Sequence, residues 1–313
     1  MTAAAPDPVR LDLALIRLHP ELSRRKAREA IEKGQVDLGG QTVREAGHAV
    51  ADSGEVRWHP NRKAQRRARL SLPLLYADEA LLILDKPPGL LSVPSSPDAH
   101  DEDTALARVM DYARHLTPHR PFAAQVHRLD RDTSGALAFA LTPAARTALR
   151  ALFREHRIER RYAALVEGTP REDKGLEDLP LHDEYEGGRR RVARPGEPSR
   201  PALTRWSVVE RFAGGALLEV VLETGRQHQI RVHLAHAGLP VIGDRVYRGA
   251  WAAPALRSAP RQMLHARLLA FAHPLTGAAV RVLSPLPEDF RKALATLRRG
   301  AARRPPAHRR PRP

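Results

Sequence analysis

The chain contains no cysteine. That excludes disulfide staples, thiolate zinc sites, iron–sulfur clusters and cysteine nucleophiles together, and any metal would have to be held by His and carboxylates. No apolar run approaches the roughly 18 residues a membrane span needs. The start, MTAAAPDPVR, lacks a basic segment leading into a hydrophobic one. A cytoplasmic protein with no membrane partner is expected. Acid is in short supply: 36 Asp and Glu face 52 Lys and Arg, a formal charge of +16. An excess of that size points to a polyanionic partner and away from a lone enzyme of small neutral metabolites. No internal repeat of solenoid length is present. Disorder throughout is also excluded, since 42% of the 313 residues are hydrophobic, enough for one sizeable core and an appendage.

The positive charge sits at the ends. Residues 1–69 carry 14 basic and 9 acidic side chains, and residues 298–313 carry seven arginines and no acid. The middle of the chain therefore resembles an ordinary globular body with basic attachments suited to nucleic acid. The final stretch, RRGAARRPPAHRRPRP, has no hydrophobic period and is expected to be a disordered tail over 298–313, facing nucleic acid or serving only solubility. A module is expected over 9–60. In it Leu11, Leu15 and Leu18 have helical spacing, Pro20 ends that helix, and Ser23 caps a second one running to about Lys33 with Gly34 beyond it. Arg24, Arg25 and Arg28 share one arc of the second helix and Ala27, Ala30 and Ile31 another, so one arc can pack while the other faces phosphates or merely solvent. A hairpin follows, from Val36 and Leu38 through Gly39-Gly40 to Val43, and residues 55–58 read as a further strand. The basic stretch starting at Asn61 is nearly free of hydrophobics, which marks 61–72 as a linker.

The body, 73–292, alternates strand-like and helical stretches: a hairpin turning at Asp78-Glu79, a helix over 144–156, and strands over 136–142, 161–168, 202–211 and 216–223. Mixed α/β or α+β is the natural class. Its most informative segment is VHRLDRDTSGALAFALT, residues 126–142, which sets Asp130 among His127, Arg128 and Arg131 at the lip of an apolar run. A partly desolvated carboxylate beside a cation can be a nucleophile or a general base. It can equally be no more than the partner of a neighbouring arginine. A glycosidase pair with Asp132 is disfavoured, because two carboxylates on one turn seldom flank a sugar from both sides. His228, His233 and His236 suggest zinc at first sight. A helix from Thr224 to Gly238, however, would place His228 and Arg231 on one face and His233 on another, with no thiolate or fitting carboxylate near, so no metal is expected.

The run from His127 to Gly135 resembles the signature of the RluA family of pseudouridine synthases. Residues 85–94 (DKPPGLLSVP) are similar to that family's early loop, and residues 161–168 (RYAALVEG) to its tyrosine strand, with Arg161 where a Lys is usual. Residues 224–233 (TGRQHQIRVH), the Gly238–Asp244 stretch, residues 264–266 and His273-Pro274 match its later motifs in order. The pattern from Arg10 to Trp58 resembles the αL-type RNA-binding module first known from a small-subunit ribosomal protein, with Gly39-Gly40 in place of the usual Asn-Gly turn.

The resemblance implies an α+β synthase fold with a mixed, largely antiparallel central sheet flanked by helices, behind a small N-terminal α/β RNA-binding module. It assigns the essential carboxylate to Asp130, as nucleophile or proton acceptor, Arg231 as its partner, and Tyr162 to stacking on the base and helping remove the carbon 5 proton. Arg128 is matched to insertion into the RNA stack, with His127 close to the backbone, and Arg24, Arg25 and Arg28 to RNA contact. The isomerisation breaks the ribose bond to base nitrogen 1, turns the uracil and joins carbon 5 to the ribose, with no redox change and no cofactor. That fits the lack of cysteine and of a phosphate-cradling glycine loop. Large-subunit rRNA is the favoured substrate with tRNA next; DNA is not expected, and a monomer is. The rival readings are a non-catalytic RNA-binding or ribosome-assembly protein on the same fold, and a hydrolase that would release free uracil.

Overall fold

Proline and serine punctuation divides the first helices as the sequence requires. In a computed structural model that describes residues 9–43, 46–50, 55–62, 73–96, 98–99, 102–117, 119–185, 189–248 and 259–302, the chain separates into two units, Met1–Ser71 and Leu72–Pro313. The first holds β1 (Val9–Arg10), α1 (Leu11–Leu18), α2 (Arg24–Glu32), β2 (Val36–Leu38), β3 (Gln41–Thr42), β4 (Ala49–Val50) and β5 (Val56–Trp58). Ser23 Oγ accepts the Lys26 amide at 3.3 Å and starts α2. The apolar arc of α2 packs with Leu11, Leu15 and Val36 into a core of its own. β2 is the centre of an antiparallel β3-β2-β5 sheet, and β1 pairs with β4.

The second unit runs β6 (Leu74–Ala77), β7 (Leu81–Lys86), α3 (Ala105–Leu116), β8 (Ala124–Gln125), β9 (Ser134–Ala140), α4 (Pro143–Arg154), β10 (Glu159–Glu167), β11 (Lys174–Asp178), β12 (Leu181–His182), β13 (Ser199–Arg200), β14 (Leu203–Phe212), β15 (Gly215–Leu222), α5 (Gln229–His236), β16 (Leu264–Ala272), β17 (Ala279–Leu283) and α6 (Glu288–Ala302). Ten strands form one sheet in the order β11-β14-β15-β10-β16-β9-β7-β6, with β17 beside β16 and β8 beside β9. Alternation along the strands explains how both faces are covered. Leu82 and Leu84, Leu137 and Phe139, and Tyr162 and Ala164 join the α3 and α5 residues Val109 and Leu234 in one cluster. Their neighbours Leu81, Ile83, Ala136 and Ala138 pack with Leu149 of α4, and Ala163 and Leu165 with Phe290 and Leu294 of α6. This is the expected largely antiparallel mixed sheet; its one parallel pairing among the described residues is β9 with β16.

Two expectations are corrected. The helix read from Thr224 begins only at Gln229. Its side chain is the reason: Gln229 Oε1 accepts from Thr224 Oγ1 at 2.8 Å and from the Arg226 amide at 2.9 Å, offering the backbone a turn instead of a helix. His228 then sits in the left-handed region at φ 59°. At the other end, residues 298–302, expected to open a disordered tail, continue α6 to Ala302. Leu297 is buried against the sheet and Arg298 pairs with Glu210 at 2.6 Å, which carries the helix past the expected boundary. Residues 303–313 lie outside the described residues, as do 63–72 of the expected linker.

The parallel junction is where the segment carrying Asp130 enters the sheet, and that segment is held at successive carbonyls. Ser92 Oγ donates to Leu129 O at 2.6 Å and accepts the Leu129 amide at 3.0 Å. The Thr133 amide donates to Asp130 O at 3.1 Å. Lys86 Nζ, on a side chain with 0% exposure, donates to Arg131 O at 2.8 Å and to Pro87 O and Leu90 O. Arg261 donates to Asp132 O at 2.8 Å while its fork grips Asp289 at 2.6 and 3.0 Å. Gly135 follows at φ 114°, and a Cβ there would lie 2.3 Å from Ala266 O on the facing strand.

Gly135→Ala is therefore expected to lower the unfolding free energy by roughly 2–4 kcal/mol, read from urea titrations, because neither the backbone angle nor the facing carbonyl accommodates a methyl group. Burial drives the Lys86 ammonium down from 10.5 to about 7. Between those two values the unfolded chain holds a proton that the folded chain has released, so this lysine makes stability rise with pH across that window. Lys86→Met removes the titration, and its stability measured over the same window should lack the wild-type rise.

Candidate active site

Asp130 projects from the clamped segment with a side chain 17% exposed, and its partner arrives from α5: Arg231 NH1 donates to Asp130 Oδ2 at 2.9 Å. The expected pairing is present, but it is the smaller part of what Arg231 does. Its Nε and NH2 form a fork onto Asp244, at 2.6 and 2.9 Å, on a carboxylate that is itself wholly buried. Burial alone would push the Asp244 carboxyl up. The two bonds from Arg231, with those from the Val246 and Tyr247 amides, hold it below its ordinary value. Burial likewise opposes the Arg231 cation, and Asp244 and Asp130 more than offset it. Gly243, at φ 77° and too close to Arg261 O for a Cβ, makes the tight turn that aims Asp244 inward.

Asp130 borders two cavities. The larger, about 420 Å³, is lined by Leu129, Tyr162, Leu222, Ile230 and Leu264 together with Arg128, Arg160, His228 and Arg231. Tyr162, on β10, is 7% exposed and its hydroxyl has no hydrogen-bond partner among the described residues. Burial pushes this phenol up from its ordinary value, with the Asp130 charge adding to the shift and Arg160 opposing it, so Tyr162 keeps its proton at neutral pH. Arg160 lies two residues earlier on the same face. It is buried, donates to Leu222 O and Glu223 O, lies over the Phe153 ring at 5.6 Å, and has no carboxylate partner among the described residues. The smaller cavity, about 210 Å³, lies against Asp130, His228 and Arg231 and is bounded by Arg131, Tyr185 and Arg245.

Asp130, Tyr162 and Arg231, spread over some hundred residues of the chain, thus share one cavity. Arg128 lines it too, is exposed, and forms no ion pair with Asp132. His127 lines the cavity as well and also supports the fold. Its Nε2 accepts the Ala138 amide at 2.9 Å and its ring stacks on Phe153 at 4.7 Å. Burial lowers it to about 3, so it is neutral and serves β9 instead of offering a phosphate a positive charge. His233 also serves the fold, with one nitrogen on Thr204 Oγ1 at 2.8 Å and the other on Leu179 O at 2.9 Å. In the first unit, Arg28 and Arg24 reach the buried Asp12 at 2.9 and 3.6 Å, joined by Arg10 at 3.0 Å, while Arg25 is exposed with no ion pair among the described residues. Burial raises the Asp12 carboxyl, but the bonds from Arg10 and Arg28 win and bring it to about 2.

Sequence reasoning missed Asp244, Lys86, Arg160, Arg261 and the pair His228 and Tyr247, joined at 2.9 Å. Asp244 and Lys86 stand inside recognised motifs, but nothing in their spacing announces a buried ion pair or a buried ammonium. Arg160 carried the nearest thing to a signal, a cation two residues before the tyrosine and so on the same face of a strand.

Comparison with known proteins accords with this geometry. The RNA pseudouridylate synthase family pattern matches residues 80–236, and the S4 domain pattern matches residues 9–56. A protein of Xanthomonas campestris named ribosomal large subunit pseudouridine synthase D is 35% identical over 96% of this chain and 93% of its own length. The dual-specificity RNA pseudouridine synthase RluA of Salmonella typhimurium is 42% identical over 70% of this chain and 94% of its own. Among solved structures, human RNA Pseudouridylate Synthase Domain Containing 4 shares the fold at a TM-score of 0.59 and 24% identity, over 72% of this chain and 92% of that one. Among the described residues no helix is long and apolar enough to cross a membrane. On these matches the chain belongs to the RluA family of RNA pseudouridine synthases and carries an S4 RNA-binding module before its synthase body.

Proposed function

We propose that this synthase isomerises uridine in large-subunit ribosomal RNA with Asp130 as its essential carboxylate. The observation that carries the assignment is the bond of 2.9 Å between Asp130 and a doubly anchored Arg231 at the edge of a cavity capped by Tyr162. The rRNA assignment rests on the relatives named for the large subunit, which align with this chain almost end to end, S4 module included.

A uridine must leave its stack to reach Asp130, and the cavity provides what such a base needs. The Tyr162 ring supplies an apolar plane on which a detached uracil can turn, since stacking tolerates rotation in the plane of the rings. Leu129, Leu222, Ile230 and Leu264 keep water from the ribose while its bond to the base is broken. Asp130 acts on the ribose side as nucleophile or proton acceptor. Tyr162 enters as a neutral phenol, so its part is to stack and to relay a proton through its free hydroxyl and not to act as a phenolate base. Arg160, a buried cation without a carboxylate among the described residues, receives a phosphate beside the flipped nucleotide, and the exposed Arg128 inserts into the RNA stack that the uridine leaves.

Asp130→Asn should leave RNA binding within about threefold and reduce pseudouridine formation by roughly a thousandfold or more, followed by tritium release from labelled RNA. Mapping pseudouridines in ribosomal RNA from cells with and without the gene tests the substrate: a large-subunit position should lose its modification in the deletion strain, and a change confined to tRNA would refute the assignment. Asp244→Asn keeps the shape but removes one of the two anions on Arg231, freeing the fork to close on Asp130; turnover is expected to fall about 10–100-fold with KM nearly unchanged. Arg25→Ser, which leaves the Asp12 cluster intact, should weaken RNA binding and reduce the slope of log affinity against log salt by about 1.

A further inference from the structure

His228 has no role in the scheme above, yet three features of its setting are independent of one another. It is a non-glycine residue in the left-handed region, φ 59° and ψ 11°, immediately before α5. This backbone turn brings its ring between the two cavities, with Nε2 3.8 Å from Asp130 Oδ2. Its other nitrogen, Nδ1, is 2.9 Å from the Tyr247 hydroxyl.

The third feature bears on the position of a proton. The Arg190 amide donates to the Tyr247 hydroxyl oxygen at 2.7 Å. A phenol that accepts there can direct its own hydrogen to His228 Nδ1, the ring nitrogen within reach. Nδ1 is then an acceptor, and the single proton of the neutral ring is on Nε2, the nitrogen that faces Asp130. The remaining neighbours suit a neutral ring: Tyr185 and Tyr247 meet it edge-on at 5.8 and 5.6 Å, Arg231 and Arg128 bring positive charge, and Asp244 is already occupied by Arg231. Burial, the largest influence, lowers its pKa, with the two arginines adding to the shift and Asp130 and Asp244 opposing it.

Arg231 and His228 both address the same carboxylate oxygen, Oδ2, and Oδ1 has no donor among the described residues. We infer that His228 is a positioning residue for Asp130: its Nε2–H, aimed by Tyr247, closes on Oδ2 when substrate fills the cavity, leaving Oδ1 as the oxygen presented to the ribose. The inference rests on the proposed role of Asp130. It involves no covalent step by the imidazole and no change in its charge. A glutamine can mimic it, since its side-chain amide can donate from a position near Nε2 without needing a tautomer to be chosen.

That difference supplies the test, on the full-length protein with an RNA stem-loop that the wild type modifies. His228→Ala should lower kcat about 30-fold with KM within about twofold, and His228→Gln should recover all but a few-fold of the loss. Tyr247→Phe should cost about tenfold in the wild-type background and less than about twofold on top of His228→Gln, because only histidine needs its tautomer set. A glutamine variant as slow as the alanine one, or a Tyr247→Phe effect that adds in full to it, overturns the inference. Nitrogen NMR of histidine-labelled protein reads the tautomer without any activity. A proton on Nε2 in the wild type, lost to a mixture in Tyr247→Phe, supports the inference, and a proton on Nδ1 overturns it. If the wild type forms no pseudouridine, the proposed function falls, and the NMR result still decides where the proton lies.

Discussion

One guanidinium, that of Arg231, holds two carboxylates at once, and the site depends on how it divides itself between them. A carboxylate and an arginine left alone in a dry pocket close into a two-bond fork that occupies both oxygens. Here the fork belongs to Asp244, and only NH1 remains for Asp130. Asp130 is thereby neutralised enough to be tolerated near the sheet while keeping an oxygen free. Desolvating three charges is costly, and it is sustained because every one of them has a hydrogen-bonded partner. The wholly buried Asp244, with two backbone amides as well, is the fixed point, and Arg231 and then Asp130 take their positions from it.

The sheet makes this arrangement rigid through the parallel pairing of β9 with β16. Where β9 meets β16, the backbones come so close that Gly135 has no room for a side chain, and the preceding residues must turn sharply out of the sheet. A segment leaving a sheet has carbonyls without ladder partners. Ser92, Lys86 and Arg261 each take one, so Asp130 is flanked by restrained residues on both sides. Lys86 and Arg261 are buried for this purpose, which ties the placement of the carboxylate to long-range contacts from β7 and from the stretch before β16.

What the sequence disclosed and what it withheld follow the same physical division. The strands of the body and the second helix of the module were legible because alternation and capping are local: Leu218, Val220 and Leu222 read as one face, and Ser23 read as a cap. Asp130, Tyr162 and Arg231 were legible because each lies within a contiguous recognisable run. Asp244 and the pair His228–Tyr247 were not, because their partners lie 13 and 19 residues away across irregular backbone, where no periodicity constrains which side chains meet. The helix start at Gln229 was misplaced for a related reason: a side chain, not propensity, formed the turn before it. The stacking of His127 on Phe153 was not legible either, because no local periodicity links the two.

The same device, a buried aspartate ordering arginines, occurs in both units with opposite results, and the ratio of charges explains why. Asp12 has three arginines about it, so the cluster keeps an excess of two positive charges, and the guanidiniums stay about half exposed and aimed outward. Its geometry is set by contacts within the unit. Around Arg231 the ratio is reversed: two carboxylates on one cation leave one negative charge, on the more exposed of the two. An excess of cations makes a surface that binds a polyanion, whereas an excess of one anion makes a group able to attack or deprotonate. In a chain of net charge +16, binding RNA needs little arrangement. Keeping one carboxylate incompletely satisfied among so many arginines is the harder requirement, and Asp244 meets it by occupying the arginine that would otherwise enclose Asp130.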